Sequence, residues 1–137
     1  MEQIYFYKKI TDKTKIGEVT DNIIGDMKEY GIKSDNFDRI KTVLLEAEKN
    51  IKLHAESGEI EVNVQKNKFK ARIKDKGPGI ENIGLAFQDG YTTASNDAKK
   101  MGYGLGRGLT VIQENADDLN IASEIGVGTT FDIEIGL

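Results

Sequence analysis

The chain has 137 residues, of which 31% are charged and 38% hydrophobic, and its formal net charge is −4 at pH 7. This charge argues against a general nucleic-acid-binding protein, and no apolar run approaches the roughly 20 residues that a membrane span needs. The absence of cysteine excludes disulfides and thiolate metal sites, and together with an N-terminus unlike a signal peptide it leads us to expect a cytoplasmic protein.

The first part of the chain predicts one strand followed by two helices. Residues 4–7, IYFY, favour β-structure, and we expect a strand at the edge of a sheet. Apolar residues recur at helical spacing from Lys15 to Tyr30, and Gly31 stands where a C-terminal cap belongs. Ser34 or Asp35 is the expected cap of a second helix. The apolar stripe of this second helix steps by three and four residues: Phe37, Ile40, Leu44, Ala47, Ile51 and Ala55.

The second part of the chain predicts two hairpins that flank a glycine-rich loop and a helix. GEIEVNV (58–64) and KFKARIKD (68–75) alternate in polarity and are joined by the short turn QKNK. GLTVIQENADDL predicts a helix of about three turns, and LNIASE and TTFDIEI predict a second hairpin around Gly126 and Gly128. This order predicts an α+β, two-layer sandwich, with helices on one face of a mixed, mostly antiparallel sheet.

Glycine is concentrated in one stretch, because eight of the fifteen glycines fall between Asp75 and Leu109. Glycine loses the most backbone freedom on folding, so a dense run of it indicates that something must approach the main chain closely. A phosphate group is the candidate.

Of two further short motifs, one precedes this stretch and the other forms its start. Glu46 and Asn50 are four residues apart on the second helix, where a carboxylate and an amide oxygen can point into one cleft. Taken alone, this pair is better explained as a solvated helix flank. DKGPGI, residues 75–80, follows a predicted strand, and taken alone it could equally be an ordinary turn.

GYGLGRGL, residues 102–109, contains a G-x-G pattern before a predicted helix. It does not directly follow a strand, and the acidic residue of the dinucleotide-binding fingerprint is missing. It also lacks the Gly-Lys-Ser/Thr ending of a P-loop. What remains is a glycine-lined loop that ends at a helix N-terminus, where unpaired N–H groups and the helix dipole favour an anion.

Four segments, 46–50, 75–80, 102–109 and 126–131, resemble the N, G1, G2 and G3 boxes of the GHKL ATPase superfamily, in the family's order. Within it the chain is most similar to the small bacterial anti-sigma-factor serine/threonine kinases, especially the Rsb-type switch kinases. The resemblance covers roughly residues 36–137. It implies the Bergerat ATP-binding fold in a single domain, residues 1–137, with a lid over about residues 89–107.

The resemblance also implies that ATP or ADP binds together with Mg²⁺. Asp75 would accept a hydrogen bond from the adenine amino group, and Gly79 would let the base lie close to the backbone. Asn50 would be the protein ligand of Mg²⁺, and Glu46 the general base. The other nucleotide-binding positions that the resemblance implies are Gly77, Ile80, Gly102, Gly104, Leu105, Gly106, Arg107, Gly108 and Leu109.

Three further side chains carry less specific expectations. Thr129 or Thr130 resembles the threonine that supports the adenine-binding aspartate through water, and we favour Thr129. Arg107 could neutralise phosphate charge during transfer, although a solvated position on the lid explains it equally well. His54, the only histidine, is interpreted as a structural residue that flanks the site.

Three functions follow from the resemblance. The first is a serine/threonine kinase that phosphorylates a STAS-domain antagonist or scaffold and thereby controls a sigma-factor or stress-signalling pathway. The second is a nucleotide-dependent module that sequesters a sigma factor or another regulator without catalysis, which would have no use for Glu46 as a base. The third is a detached histidine-kinase ATPase domain. It ranks last because a histidine kinase needs a phospho-accepting histidine on a dimerising helix pair, and the one histidine of this chain, His54, lies on the helix of the nucleotide site. Neither nucleic acid nor membrane is an expected partner, and a homodimer stays open.

Overall fold

The computed structural model describes residues 3–80 and 108–137. Its elements follow the chain as β1 (Ile4–Ile10), α1 (Glu18–Glu29), α2 (Phe37–His54), β2 (Ser57–Gln65), β3 (Lys68–Lys76), α3 (Gly108–Asn115), β4 (Asp118–Glu124) and β5 (Gly128–Gly136). The strands form one sheet in the order β1-β2-β3-β5-β4, and every pairing between these described strands is antiparallel. The α+β sandwich is confirmed, and β1 lies at an edge of the sheet as its sequence predicts.

One face of the sheet forms the core with the helices. Alternate strand residues point into it, because successive side chains of a strand face opposite ways. On the three central strands these buried residues are Ile60, Val62, Val64, Phe69, Ala71, Ile73, Phe131, Ile133 and Ile135. The predicted stripe of α2 packs against them through Ile40, Leu44, Ala47 and Ile51. Phe37 and Ala55, at the two ends of the stripe, are only partly buried.

The hairpin between β2 and β3 closes through the two residues Lys66 and Asn67, whose φ angles are +52° and +61°. Two positive φ angles in succession mark a type I′ turn, which matches the twist of the two strands. This turn sets the register in which Gly58 lies opposite Asp75.

Helix ends are where the structure departs from the sequence prediction. α1 begins at Glu18, three residues later than predicted, because Gly17 has a left-handed φ of +93°. Neither Ser34 nor Asp35 caps α2: the N-cap position belongs to Asn36, and the Ser34 hydroxyl accepts a hydrogen bond from the Asn36 N–H at 2.9 Å.

The helix α3 is shorter than predicted, since it ends at Asn115 and the chain enters β4 at Asp118. The segment DDL, assigned to the helix from its sequence, therefore spans the connection and the start of a strand. Arg39 of α2 binds the last carbonyl of the helix and also Asp117, which fixes where α3 ends.

A buried carboxylate caps the first helix. Glu48 of α2 is fully buried and accepts hydrogen bonds from the Gly17 N–H, from the Thr20 N–H at 2.9 Å and from the Thr20 hydroxyl at 2.9 Å. These backbone donors belong to the first turn of α1, which has no partner for them within the helix. Glu48 thus ties α1 to α2.

The opposite face of the sheet carries polar and charged side chains. Two ion pairs cross neighbouring strands there, Arg72 with Asp132 at 2.7 Å and Lys68 with Glu134 at 2.8 Å. None of the helices among the described residues is long and apolar enough to cross a membrane.

Candidate active site

Two charged residues of α2 bracket the antiparallel helix α3. The Arg39 guanidinium donates to the carbonyl oxygen of Asn115, the last residue of α3, at 3.0 and 2.7 Å. Glu46 lies about two helical turns farther along α2, beside the start of α3. A Cβ atom placed on Gly108 would be 3.5 Å from Oε2 of Glu46. A cation at the C-terminus and an anion at the N-terminus both complement the dipole of α3.

Glu46 and Asn50 occupy the flank of α2 that borders this helix N-terminus. The Glu46 side chain is 24% exposed, and its Oε1 atom lies 3.4 Å from Nζ of Lys49. Asn50 follows one turn later and is partly buried. The structure therefore brings Glu46 and Gly108 together, whereas Leu109, which the resemblance assigned to the nucleotide, lies in the core and is 9% exposed.

Asp75 lies at the end of β3 on the face that the helices cover, following the buried residues of that strand. Its Oδ1 atom accepts a hydrogen bond from the Thr129 N–H at 3.1 Å, the one hydrogen bond that this carboxylate makes with the described residues. Burial raises the pKa of Asp75, and the hydrogen bond from Thr129 offsets part of that rise. An acceptor oxygen is left for a further partner.

Two glycines let the backbone pack closely around the Asp75 carboxylate. A Cβ on Gly77 would lie 3.2 Å from Oδ1 of Asp75 and 3.0 Å from Cβ of Ala55. A Cβ on Gly128, where φ is +151°, would lie 3.2 Å from Oδ1 and only 2.0 Å from the Asp75 carbonyl oxygen. Side chains at these positions would displace Asp75, so glycine at 77 and 128 allows the close packing that holds this carboxylate in place.

The loop that follows β3 is held against the β4–β5 turn. Gly79 has a φ of +79°, and a Cβ there would lie 2.6 Å from the Glu124 carbonyl oxygen. The Gly126 N–H donates to the Pro78 carbonyl at 3.0 Å, which closes the contact between loop and turn. Ile80, the last described residue of the loop, packs partly against the core.

Ser123 is the member of this site that sequence reasoning missed. It pairs directly with Thr129 across the β4–β5 hairpin, and its hydroxyl lies 2.9 Å from the Thr129 hydroxyl. The Ile80 N–H donates to the same Ser123 oxygen at 2.7 Å. The register of the predicted hairpin was the signal, because it places Ser123 opposite Thr129 and on the same face.

The structure also separates the two candidate threonines. Thr129 is 5% exposed and lies on the face of Asp75, whereas Thr130 points to the opposite face because the two are adjacent in a strand. The Thr129 N–H donates directly to Asp75 at 3.1 Å, and the contact through water that the resemblance implies stays a prediction.

The remaining sequence candidates are placed as follows. His54 is the last residue of α2, and burial lowers its pKa. The predicted lid and the residues Gly102, Gly104, Leu105, Gly106 and Arg107 lie outside the described residues. Within residues 3–80 and 108–137 there is no group of three or more His, Cys, Asp or Glu side chains that could hold a metal ion.

The chain is similar in sequence to a family of ATPases and to bacterial regulatory proteins. The family described as histidine kinase-, DNA gyrase B- and HSP90-like ATPases matches residues 35–137. The serine/threonine-protein kinase RsbT of Bacillus subtilis is 32% identical over 106 residues, which cover 74% of each chain. An anti-sigma F factor of Halalkalibacterium halodurans is 30% identical over 102 residues, 70% of this chain and 66%, just under two thirds, of that protein.

The fold has a solved counterpart in the catalytic domain of the histidine kinase ThkA. The TM-score is 0.52 at 19% sequence identity, and the match covers 99% of this chain and 96% of that domain. This likeness shows a shared fold.

Proposed function

Because this chain belongs to the family of histidine kinase-, DNA gyrase B- and HSP90-like ATPases, the GHKL superfamily, we propose that it is an ATP-dependent serine/threonine protein kinase. Its substrate is a STAS-domain antagonist or scaffold, and phosphorylation switches that partner within a sigma-factor or stress-signalling pathway. Residues 1–137 act as one kinase domain in the cytoplasm, with ATP as phosphoryl donor and ADP as product.

The observation that carries the nucleotide part of this proposal is the half-buried carboxylate of Asp75. It has one hydrogen bond among the described residues, a pKa raised by burial, and glycine rather than side chain at positions 77 and 128. A buried acceptor with a free oxygen favours a ligand that brings an N–H donor. The amino group of adenine is such a donor, and we assign Gly77, Gly79 and Ile80 to the same end of the nucleotide.

The phosphate end of the substrate is assigned to the flank of α2 and the start of α3. Asn50 offers one amide oxygen, and Mg²⁺ commonly takes one or two ligands from protein and the rest from phosphate and water. When bound, the metal offsets phosphate charge during transfer. Gly108 and the N-terminus of α3 supply backbone N–H groups, and we assign Gly102, Gly104, Leu105, Gly106 and Arg107 to the same end. Leu109, whose side chain lies in the core, would contribute only through its backbone.

In the proposed transfer step, Glu46 is the group that accepts a proton. The oxygen of a serine or threonine hydroxyl on the partner bonds to the γ-phosphorus, the bond from that phosphorus to the bridging oxygen breaks, and ADP leaves. The Glu46 carboxylate accepts the hydroxyl proton as general base. Lys49, whose Nζ atom is 3.4 Å away, holds the carboxylate on the flank that faces α3.

A second candidate function is favoured by the anti-sigma F factors among the relatives. In this alternative the chain binds a sigma factor in a nucleotide-dependent way and transfers no phosphate. The nucleotide site would be the same, so binding of ATP supports both functions. Phosphoryl transfer distinguishes them.

Labelled transfer tests the proposal. The purified chain is incubated with Mg²⁺, ATP labelled at the γ-phosphate and, one at a time, the STAS-domain proteins of its own genome. We expect label on one of these proteins and none when the kinase is omitted. Tight binding of ATP and of a sigma factor without label on any STAS protein would favour the alternative.

Asp75→Asn is expected to weaken ATP binding in a calorimetric titration. The asparagine amide can present an N–H group, in place of an acceptor oxygen, to the amino group of adenine. Such a buried mismatch costs about 1 to 3 kcal/mol, which is a loss of roughly 5-fold to 150-fold in affinity. Because the pKa of Asp75 is raised, wild-type affinity should fall on acidification at a higher pH than an ordinary aspartate would give, whereas the variant should lack this step. Asp118→Asn, at an exposed position of β4, is the control, and equal affinities of both variants would refute the assignment.

The same raised pKa predicts how Asp75→Asn affects stability without nucleotide. The folded state holds the Asp75 proton more tightly than the unfolded state, so this group is most favourable below its unfolded pKa and loses stability as pH rises through the folded pKa. At neutral pH the variant should therefore unfold at the wild-type temperature or slightly above it. A marked drop in unfolding temperature would indicate a structural role for the carboxylate instead.

Asn50→Ala is expected to reduce ATP affinity in the presence of Mg²⁺ and to leave metal-free ADP binding nearly unchanged. The reason is that the amide oxygen is assigned to the metal and not to the base. In titrations, the substitution should lower the affinity for ATP with Mg²⁺ on the order of tenfold more than it lowers the affinity for ADP without the metal. Asn120→Ala, at an exposed position of β4, serves as the control; similar losses under both conditions would contradict the metal assignment.

A further inference from the structure

We propose that Ser123 is a positioning residue that sets the direction of the Thr129 hydroxyl proton and thereby makes the site prefer adenine over guanine. The inference rests on the proposed nucleotide site and adds a specificity determinant to it. Ser123 makes no hydrogen bond with Asp75 among the described residues, so it would act through Thr129.

The three residues form a row across neighbouring strands. Ser123 on β4 pairs with Thr129 on β5, and Thr129 in turn donates its N–H to Asp75 at the end of β3. All three side chains lie on the face that the helices cover. The hydroxyls of Ser123 and Thr129 are 2.9 Å apart, a normal length for a hydrogen bond between two hydroxyls.

The Ser123 hydroxyl has one proton and three neighbours. The Ile80 N–H donates to it at 2.7 Å, so that neighbour takes one of the two lone pairs. The Ser123 proton can then go to the Gly128 carbonyl at 3.3 Å or to the Thr129 hydroxyl at 2.9 Å. The shorter contact lies within the usual range for O–H···O bonds and the longer one does not. The proposal therefore assigns the Ser123 proton to Thr129, although either hydroxyl could be the donor at this distance.

This direction leaves the Thr129 proton for another acceptor. The row then presents an acceptor, the Asp75 carboxylate, next to a donor, the Thr129 hydroxyl. The Watson–Crick edge of adenine carries the complementary pair, the N6 amino donor next to the N1 acceptor. Guanine carries the reverse pair, the O6 acceptor next to the N1–H donor. With the Ser123 proton directed at Thr129, the site matches adenine directly or through one water and opposes guanine.

The test compares three nucleotides on the full chain by calorimetric titration: ATP, GTP and 1-deaza-ATP, which lacks the N1 acceptor. The wild-type protein should bind ATP more tightly than either analogue. Ser123→Ala should weaken ATP by roughly five- to tenfold, the value of one hydrogen bond, and should leave 1-deaza-ATP nearly unchanged. Ser123→Thr keeps the hydroxyl and should restore the preference for ATP. Thr130→Val, on the opposite face, should change none of these affinities.

Thr129→Val completes a double-mutant cycle. If Ser123 acts through Thr129, adding Ser123→Ala to Thr129→Val should cause no further loss of ATP affinity. If Ser123→Ala does not fold, Ser123→Cys replaces it in the same titrations, because a thiol is only a weak donor.

The outcomes separate this inference from the proposed function. Wild-type protein that binds no ATP would overturn both. The role of Ser123 alone would be overturned if the wild-type protein prefers ATP but Ser123→Ala lowers the affinities for ATP and 1-deaza-ATP equally. It would also be overturned if Ser123→Ala lowers neither affinity. Equal wild-type affinity for ATP and 1-deaza-ATP would do the same.

Discussion

Replacement of Glu46 by Gln is expected to slow phosphoryl transfer about a hundredfold while nucleotide and partner binding stay near wild type. General-base assistance spans roughly a hundredfold to ten-thousandfold, and the lower end applies because phosphoryl transfer depends mainly on positioning and metal charge. The measurement is single-turnover transfer from ATP to the STAS partner, with both at saturating concentrations.

Glu46 also faces the N-terminus of α3, so a purely structural role must be distinguished from the catalytic one. A structural role would lower the unfolding temperature of Glu46→Gln and leave the transfer step of the folded protein unchanged. Glu114→Gln, an exposed position on α3, is the matched control. Wild-type transfer rates in Glu46→Gln would remove the general base from Glu46.

Glu48→Ala is expected to be the most destabilising of these substitutions, lowering the free energy of unfolding by about 2 to 4 kcal/mol. The change leaves the N–H groups of Gly17 and Thr20 and the Thr20 hydroxyl without their acceptor in a buried position. Urea denaturation, followed by circular dichroism, measures the difference.

Two further variants define this effect. Glu48→Gln keeps one acceptor oxygen and should lose less stability than Glu48→Ala. Glu29→Ala removes an exposed glutamate from α1, the helix that Glu48 caps, and should stay within about 0.5 kcal/mol of wild type. A loss for Glu48→Ala no larger than that for Glu29→Ala would contradict the capping role.

The elements that sequence predicted best are those whose signal is local and repeated. The stripe of α2 from Ile40 to Ile51 and the alternation on either side of Lys66 and Asn67 each persist over several residues, so one exception does not alter the pattern. The end of a helix depends on one or two contacts instead. Arg39, which lies far from α3 in sequence, binds at the end of that helix, and no local pattern in GLTVIQENADDL indicates it.

The candidate site likewise contains residues whose positions the sequence predicted and a residue that it did not. The position of Asp75 at the end of a buried strand, and of Glu46 and Asn50 on one helix flank, followed from periodicity and spacing. Outside the site, the capping role of Glu48 was missed because its partners belong to α1, and only the packing of two helices brings them together. Ser123 was missed because a single serine in a strand carries no signal until the strand register is known.

The most direct test of phosphoryl transfer is intact-mass spectrometry of the STAS partner after one turnover with ATP and Mg²⁺, followed by fragmentation to locate the phosphate. We expect one phosphate on a serine or threonine of the partner with the wild-type chain, and an unmodified partner with Glu46→Gln over the same time. A partner that stays unmodified although the wild-type chain binds both it and ATP, or that carries its phosphate on histidine, would contradict the proposed serine/threonine kinase.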